Sequence, residues 1–229
     1  LDNRILYAAG AFVAVILVGG IIASRFSSGE APTDETYADS ELAKEMAGDH
    51  AIGAVDAPIT VIEYASMTCS HCADFHGATF PDLKENYIDT GKVRFIFREY
   101  PLDPAATTAF LAARCSAPEK YFDTVKLLFS DQAKWIQFRN ADELHSGLAK
   151  TMRKAGVTRS QFDECRQDQQ KLDSVRKVKA AADATFGNMS TPSFFINGQK
   201  HDGALPFERF EAILSPMLQS NSSAELTTE

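Results

Sequence analysis

The chain has 229 residues, 45% of them hydrophobic and 24% charged, with 13 Gly and 9 Pro. This usage excludes disordered, collagen-like and mucin-like chains, and it allows one large domain or two small ones around a real core. A formal charge of −8 argues against general binding to nucleic acid or anionic lipid, and four cysteines are too few for a disulfide-dense miniature scaffold.

Ile5 to Ala23 (ILYAAGAFVAVILVGGIIA) is a run of 19 residues without a charge, flanked by Arg4 and Arg25. It exceeds the apolar segment of an ordinary signal peptide and is long enough to cross a bilayer core of roughly 30 Å. Residues 1–26 are therefore expected to be a signal peptide or a signal-anchor transmembrane helix. The length favours the anchor; cleavage after a small residue such as Ala23 or Gly29 is the other reading. Either way the remainder is expected outside the cytoplasm, where disulfides persist.

Residues 27–50 read as a polar linker with a short helix near Ser40 to Ala47. Ile59 to Ala65 (ITVIEYA) follows the breaker Pro58 and reads as a buried strand. A helix is expected from Cys69 until Gly91, and Lys92 to Phe97 (KVRFIF) reads as a second strand, closed by Pro101 and Pro104. The connection is long enough for a right-handed parallel crossover. Residues 105–187 lack strand signals and divide into helices. Asn140 with Glu143, and Thr158 with Gln161, have capping-box spacing, Val157 and Phe162 are placed as a hydrophobic staple, and Gly187 is a natural stop. Strand character returns at Ser193 to Asn197, and Asn197-Gly198 is a type I′ hairpin signal. A final amphipathic helix follows Pro206, with Phe207, Phe210, Ile213 and Leu214 on one face, and residues 219–229 read as a flexible tail. The expectation is an α/β domain (51–104 and 188–218) split by an all-helical insertion (105–187).

Cys69-Ser70-His71-Cys72 stands at the predicted strand-to-helix junction and reads as a redox pair. The first cysteine of such a motif sits at a helix N-terminus, whose free N–H groups favour an anion. The thiolate is the species that attacks and leaves in disulfide exchange, so whatever stabilises it makes the disulfide form a stronger oxidant. His71 is expected to set its imidazole beside the Cys69 sulfur. Two other readings are open. The motif could be half of a zinc site with His71 or His76, although Cys115 and Cys165 stand too far apart to complete it. It could also be an inert disulfide, although so short a loop removes little unfolded-state entropy. His50, His145 and His201 are expected at the surface.

Gly53-Ala54-Val55-Asp56-Ala57-Pro58 running through Ile59 to Tyr64 into Cys69-Ser70-His71-Cys72 resembles the DsbA-like thiol:disulfide oxidoreductases. So do Arg98-Glu99-Tyr100-Pro101-Leu102-Asp103 and Thr191-Pro192-Ser193-Phe194-Phe195-Ile196-Asn197-Gly198. The resemblance covers about residues 50–218. It implies a thioredoxin-like fold interrupted by an all-helical insertion, with Cys69 as nucleophile and Cys72 as buried resolving cysteine. It further implies a cis Pro192 beside the pair, Thr191 offering backbone groups to an extended substrate, and Glu63 as a buried acid assisting proton transfer to Cys72. Ser70 stands where strong oxidases of the family commonly carry proline.

The resemblance also implies a second disulfide, and an even cysteine count in an oxidising compartment favours pairing, so a Cys115–Cys165 bridge is expected. Two free buried cysteines are the alternative. The implied activity is oxidation of reduced or unfolded exported proteins in the periplasm. The Cys69–Cys72 disulfide would be the only redox group, with no metal or cofactor, and a DsbB-type membrane partner would restore it. An isomerase or reductase of the same fold is the alternative, and a non-catalytic zinc-stabilised binding domain a more distant one.

Overall fold

Five short segments assemble into one sheet. They are β1 (His50–Ile52), β2 (Ile59–Ala65), β3 (Val93–Glu99), β4 (Ser193–Ile196) and β5 (Gln199–Asp202), in spatial order β1-β3-β2-β4-β5. The computed structural model describes Tyr37 and residues 39–225, with side chains to Ser220. β2 and β3 run parallel, Val61 opposite Phe95 and Glu63 opposite Phe97, while the other pairs are antiparallel. The central strands β2 and β3 are buried almost throughout. Successive side chains face opposite layers. Val61, Phe95, Phe97 and Phe194 pack in the larger core, and Ile62, Tyr64, Ile96 and Phe195 in the smaller one with Tyr37 and Tyr100.

The crossover between β2 and β3 is a helical stretch over 70–88, called α1. It comprises α-turns at Ser70–Asp74 and Phe80–Leu83 and π-turns at Phe75–Thr79 and Lys84–Ile88. Pro81 accounts for the first π-turn, because it has no N–H to donate to the carbonyl four residues back and its ring needs that space. The insertion then supplies α2 (Pro104–Ala113), α3 (Tyr121–Ser130), α4 (Gln132–Trp135), α5 (Ala141–Lys154), α6 (Arg159–Cys165) and α7 (Gln169–Phe186). The Thr158–Gln161 capping box forms reciprocally. At α5, Asn140 accepts from the Glu143 N–H at 3.0 Å, but the Glu143 carboxylate reaches one residue further back, to the Arg139 N–H at 2.9 Å. Asn197 and Gly198 both have positive φ in the β4–β5 turn, and α8 (Phe207–Glu225) closes the chain against the sheet. This is a thioredoxin-like fold with a helical insertion.

Three expectations need correction. The segment read as a linker is packed from residue 39 onward. Glu41–Ala43 forms a single short helical turn among the described residues from 39 to 49, and β1 begins at His50. The cause is Arg98, fully buried on β3, which donates to Asp49 at 2.6 Å and 3.0 Å, to the Tyr64 hydroxyl at 2.7 Å, and to the Leu42 and Lys44 carbonyls. Second, His50 is not a surface residue: it stacks on Tyr121 with ring centroids 3.5 Å apart, and burial ahead of the nearby Arg114 pushes its pKa down to about 4. Third, α8 continues into the expected tail as far as Glu225, since Gln219 to Glu225 contains no Gly or Pro to stop it. Among the described residues no helix is long and apolar enough to cross a membrane; the run 5–23 lies outside them.

Cys115, just after α2, and Cys165, the last residue of α6, are joined in a disulfide with Cα atoms 5.7 Å apart. The bridge closes a loop of 50 residues. Replacing both by alanine is expected to lower the unfolding free energy by up to about 4 kcal/mol in urea titration without changing Cys69 reactivity. Arg98→Ala strands the buried Asp49 carboxylate and is expected to cost about 3–5 kcal/mol in the same assay.

Candidate active site

The end of β2 and the start of α1 put Cys69 where a helix N-terminus is open. Cys69 is the N-cap residue and has no side-chain cap of its own. Its sulfur is half-buried; Cys72, one turn on, is fully buried, and both are free thiols. Thr191–Pro192 is cis and precedes β4, which pairs with β2 through Tyr64 and Ser193. That pairing brings the Thr191 carbonyl to 3.1 Å from the Cys69 sulfur. A thiol donates to this carbonyl; an ionised sulfur must find donors elsewhere.

It finds them. The Cys72 thiol is the largest influence on Cys69, and with the backbone N–H groups of Cys72 and His71 it outweighs burial and holds the Cys69 pKa down to about 5. The Thr191 hydroxyl, buried without another partner, acts in the same direction. Cys72 moves oppositely. Burial, its hydrogen bond to Cys69 and the charge of Glu63 push it far above the ordinary thiol range. The pair is therefore split into a sulfur that is ionised at neutral pH and a partner that keeps its proton.

His71 lies in the first turn of α1. Its ring is exposed, with Nδ1 4.0 Å from Asp74, and what it supplies to Cys69 is its backbone N–H. Ser70 is the exposed first residue of the helix. Glu63 is fully buried on the central strand, on the same face as Phe97 across the ladder.

Three contributors were not visible in the sequence. His76 reaches Glu63 with Nε2 2.9 Å from Oε2. Gln132 of α4 donates to the Met67 and Cys69 carbonyls at 2.8 Å and 3.0 Å, tying the insertion to the active-site turn. Asp103 caps α2 through the Ala106 N–H and accepts from the Thr68 hydroxyl, both at 2.7 Å. The Asp103 cap is local, but the Glu63–His76, Gln132 and Thr68–Asp103 contacts join residues distant in sequence, so no local spacing announces them. Among the described residues no group of three His, Cys, Asp or Glu side chains converges as a metal site.

A family model described as thioredoxin matches residues 45–215. The chain is 30% identical to the crystal structure of Wolbachia pipientis alpha-DsbA1; the match covers 86% of this chain and 100% of that one, with a TM-score of 0.74. The chain belongs to the DsbA-like thioredoxin-fold family. Oxidised BdbD of Bacillus subtilis shares the fold at 20% identity and a TM-score of 0.66, over 75% of this chain and 94% of that one. A provisionally named protein-disulfide oxidoreductase of Rickettsia bellii is 32% identical over 155 residues, 66% of this chain and 57% of the relative. The DsbA-like chain thus spans little more than half the length of that curated relative.

Within this DsbA-like site the ionisation of Cys69 sets a pH dependence. Cys69 titrates near 5 in the folded protein against 9.0 for an unperturbed thiol. The thiolate therefore adds stability to the reduced state that is complete above about pH 9 and lost as the pH falls through 5. The Tm difference between reduced and oxidised protein is expected to shrink over that range. Alkylation of the reduced protein by iodoacetamide should rise with a midpoint near pH 5 at Cys69, while Cys72 stays unlabelled.

Proposed function

We propose that this protein is an extracytoplasmic dithiol oxidase that introduces disulfides into exported proteins. The split between an ionised, half-exposed Cys69 and a buried, protonated Cys72 carries the reading. A stable Cys69 thiolate lowers the energy of the reduced protein, and that makes its disulfide a strong oxidant. In the reaction a client thiolate attacks the Cys69 sulfur of the Cys69–Cys72 disulfide. The Cys69–client bond forms, the Cys69–Cys72 bond breaks, and its electron pair stays on Cys72, which takes up a proton. The client's second thiolate then attacks its own sulfur in the mixed disulfide, and Cys69 leaves as the thiolate. The client is oxidised by two electrons and the Cys69–Cys72 pair reduced by two.

The surroundings suit a polypeptide client. The Thr191 backbone lies beside the sulfur on the approach to β4, where an extended segment can pair. On the other side, Thr68 opens onto a cleft of about 570 Å³ lined by Pro104, Ala105, Ile136, Phe138 and Leu144. Phe138 is 37% exposed and nearby Leu102 52%. The pair needs no further cofactor, and a DsbB-type membrane protein would reoxidise it by accepting two electrons. The run Ile5 to Ala23 supports export to the periplasm and attachment to the inner membrane.

Equilibration with glutathione is expected to place the Cys69–Cys72 potential nearer the roughly −120 mV of DsbA than the roughly −270 mV of thioredoxin. A thioredoxin-like value, or efficient rescue of a scrambled substrate, assigns the protein to reduction or isomerisation instead. Cys69→Ser should abolish oxidation of a dithiol peptide, and residual oxidation by that variant overturns the role of Cys69.

A further inference from the structure

Beneath the redox pair lies a second pair whose chemistry the ionisation of Cys69 does not explain. Glu63 has no solvent exposure, His76 is 3% exposed, and Oε2 of Glu63 is 2.9 Å from Nε2 of His76. The other carboxylate oxygen, Oε1, is buried without a hydrogen-bond partner. The His76 ring stacks on Phe129 at 4.5 Å between centroids and touches Phe80 and Phe97. A lone charge is costly in such a box, whereas a carboxyl and an imidazole that hold one proton between them are neutral overall or an ion pair. His76 lies four residues after Cys72, on the same side of α1. Glu63 is close enough to both sulfurs for its charge to act on Cys72 and for that of Cys69 to act on it.

We infer that His76 is a positioning residue for thiol–disulfide exchange: its ring nitrogen holds the Glu63 carboxyl beside Cys72 and shares a proton with it, so that Glu63 can take the Cys72 proton and give it back. The inference rests on the exchange reading of Cys69 and Cys72, but not on the direction of exchange. When Cys72 attacks a mixed disulfide, its thiol proton passes to the Glu63 carboxylate. The Cys72 sulfur bonds to Cys69, the Cys69–partner bond breaks, and the partner leaves as a thiolate. In reverse, a partner thiolate bonds to the Cys69 sulfur, the Cys69–Cys72 bond breaks, and the emerging Cys72 thiolate recovers the proton from Glu63.

His76 is suited to this by opposing burial. Burial favours the protonated carboxyl, and the charge and hydrogen bond of His76 favour the ionised one. Without His76 the carboxyl keeps its proton to higher pH and cannot accept another. The other titratable groups facing the pair are Cys69 and Cys72 at the start of α1 and Tyr121 from α3. On β3, Glu99 is taken up by Arg114 and Tyr121, with His50 beyond it. Phe80, Phe97 and Phe129 bring no charge.

The test uses the full chain with Cys69 loaded as a mixed disulfide with glutathione at low pH. After a pH jump, glutathione release by Cys72 is followed by acid quench. His76→Phe keeps the aromatic packing, and it is expected to slow release at pH 7 about tenfold and to move the midpoint of the rate–pH profile up by about one unit. His76→Gln keeps an N–H for Glu63 without the imidazole and should fall between His76→Phe and wild type. It also serves if His76→Phe fails to fold. In a Glu63→Gln background, His76→Phe should add less than about twofold, because the carboxyl it acts through is gone. A purely structural role would lower Tm and leave the midpoint in place. An unmoved midpoint in folded His76→Phe or His76→Gln, or an equal shift in the Glu63→Gln background, overturns the inference. A wild-type protein that never releases glutathione overturns the exchange reading itself, and this inference with it.

Discussion

The hydrogen bond from the Cys72 thiol to Cys69 exists in strength only while one sulfur is ionised and the other is not. Much of the surrounding architecture maintains that inequality. Cys69 sits at the open end of α1, where backbone N–H groups point at it, and Cys72 is sunk one turn deeper into apolar surroundings. The same displacement of about one helical turn leaves one sulfur half-exposed and hides the other. Burial acts on both groups in one direction. Donors at the helix end overcome it at Cys69 and have no counterpart of equal weight at Cys72.

Keeping the cap of α1 in place takes contacts from well-separated parts of the chain. Gln132 holds the Met67 and Cys69 carbonyls from the insertion. Asp103 fixes Thr68 while capping α2. The cis Thr191–Pro192 peptide is held on the other side by the β2–β4 ladder. The insertion is therefore part of the framework around Cys69 as well as a cover: its first helix and its short α4 both grip the turn that bears Cys69.

What the sequence made legible, and what it did not, follows the range of the interactions. β2, β3 and the hairpin at Asn197-Gly198 are local patterns of apolar alternation and turn chemistry, and they could be read directly. So could the helix starts at Thr158 and Asn140, whose caps span three residues. β1 was missed because three half-buried residues carry no periodic signal; the strand exists because β3 has an edge to pair and Arg98 draws residues 42–49 across it. His71 was legible from its place between the cysteines; only the fold shows that its ring is exposed and that its backbone N–H acts on Cys69. His76 looked like a spare ligand, and only the fold shows it against Glu63, 13 residues earlier on a different element.

The π-turns in α1 have a consequence for how this chain is compared with others. Each accommodates one residue more than an α-turn would. Side chains after it are rotated by about 100° from where an unbroken α-helix would aim them. The first π-turn begins at Phe75 and contains His76. A homologue without the bulge would be one residue shorter here, and an ungapped alignment would then equate a buried position with an exposed one from this point on. The residue that aligns with His76 by number need not be the residue that meets the buried carboxylate. For this stretch, equivalence has to be judged by which face of the helix a residue occupies.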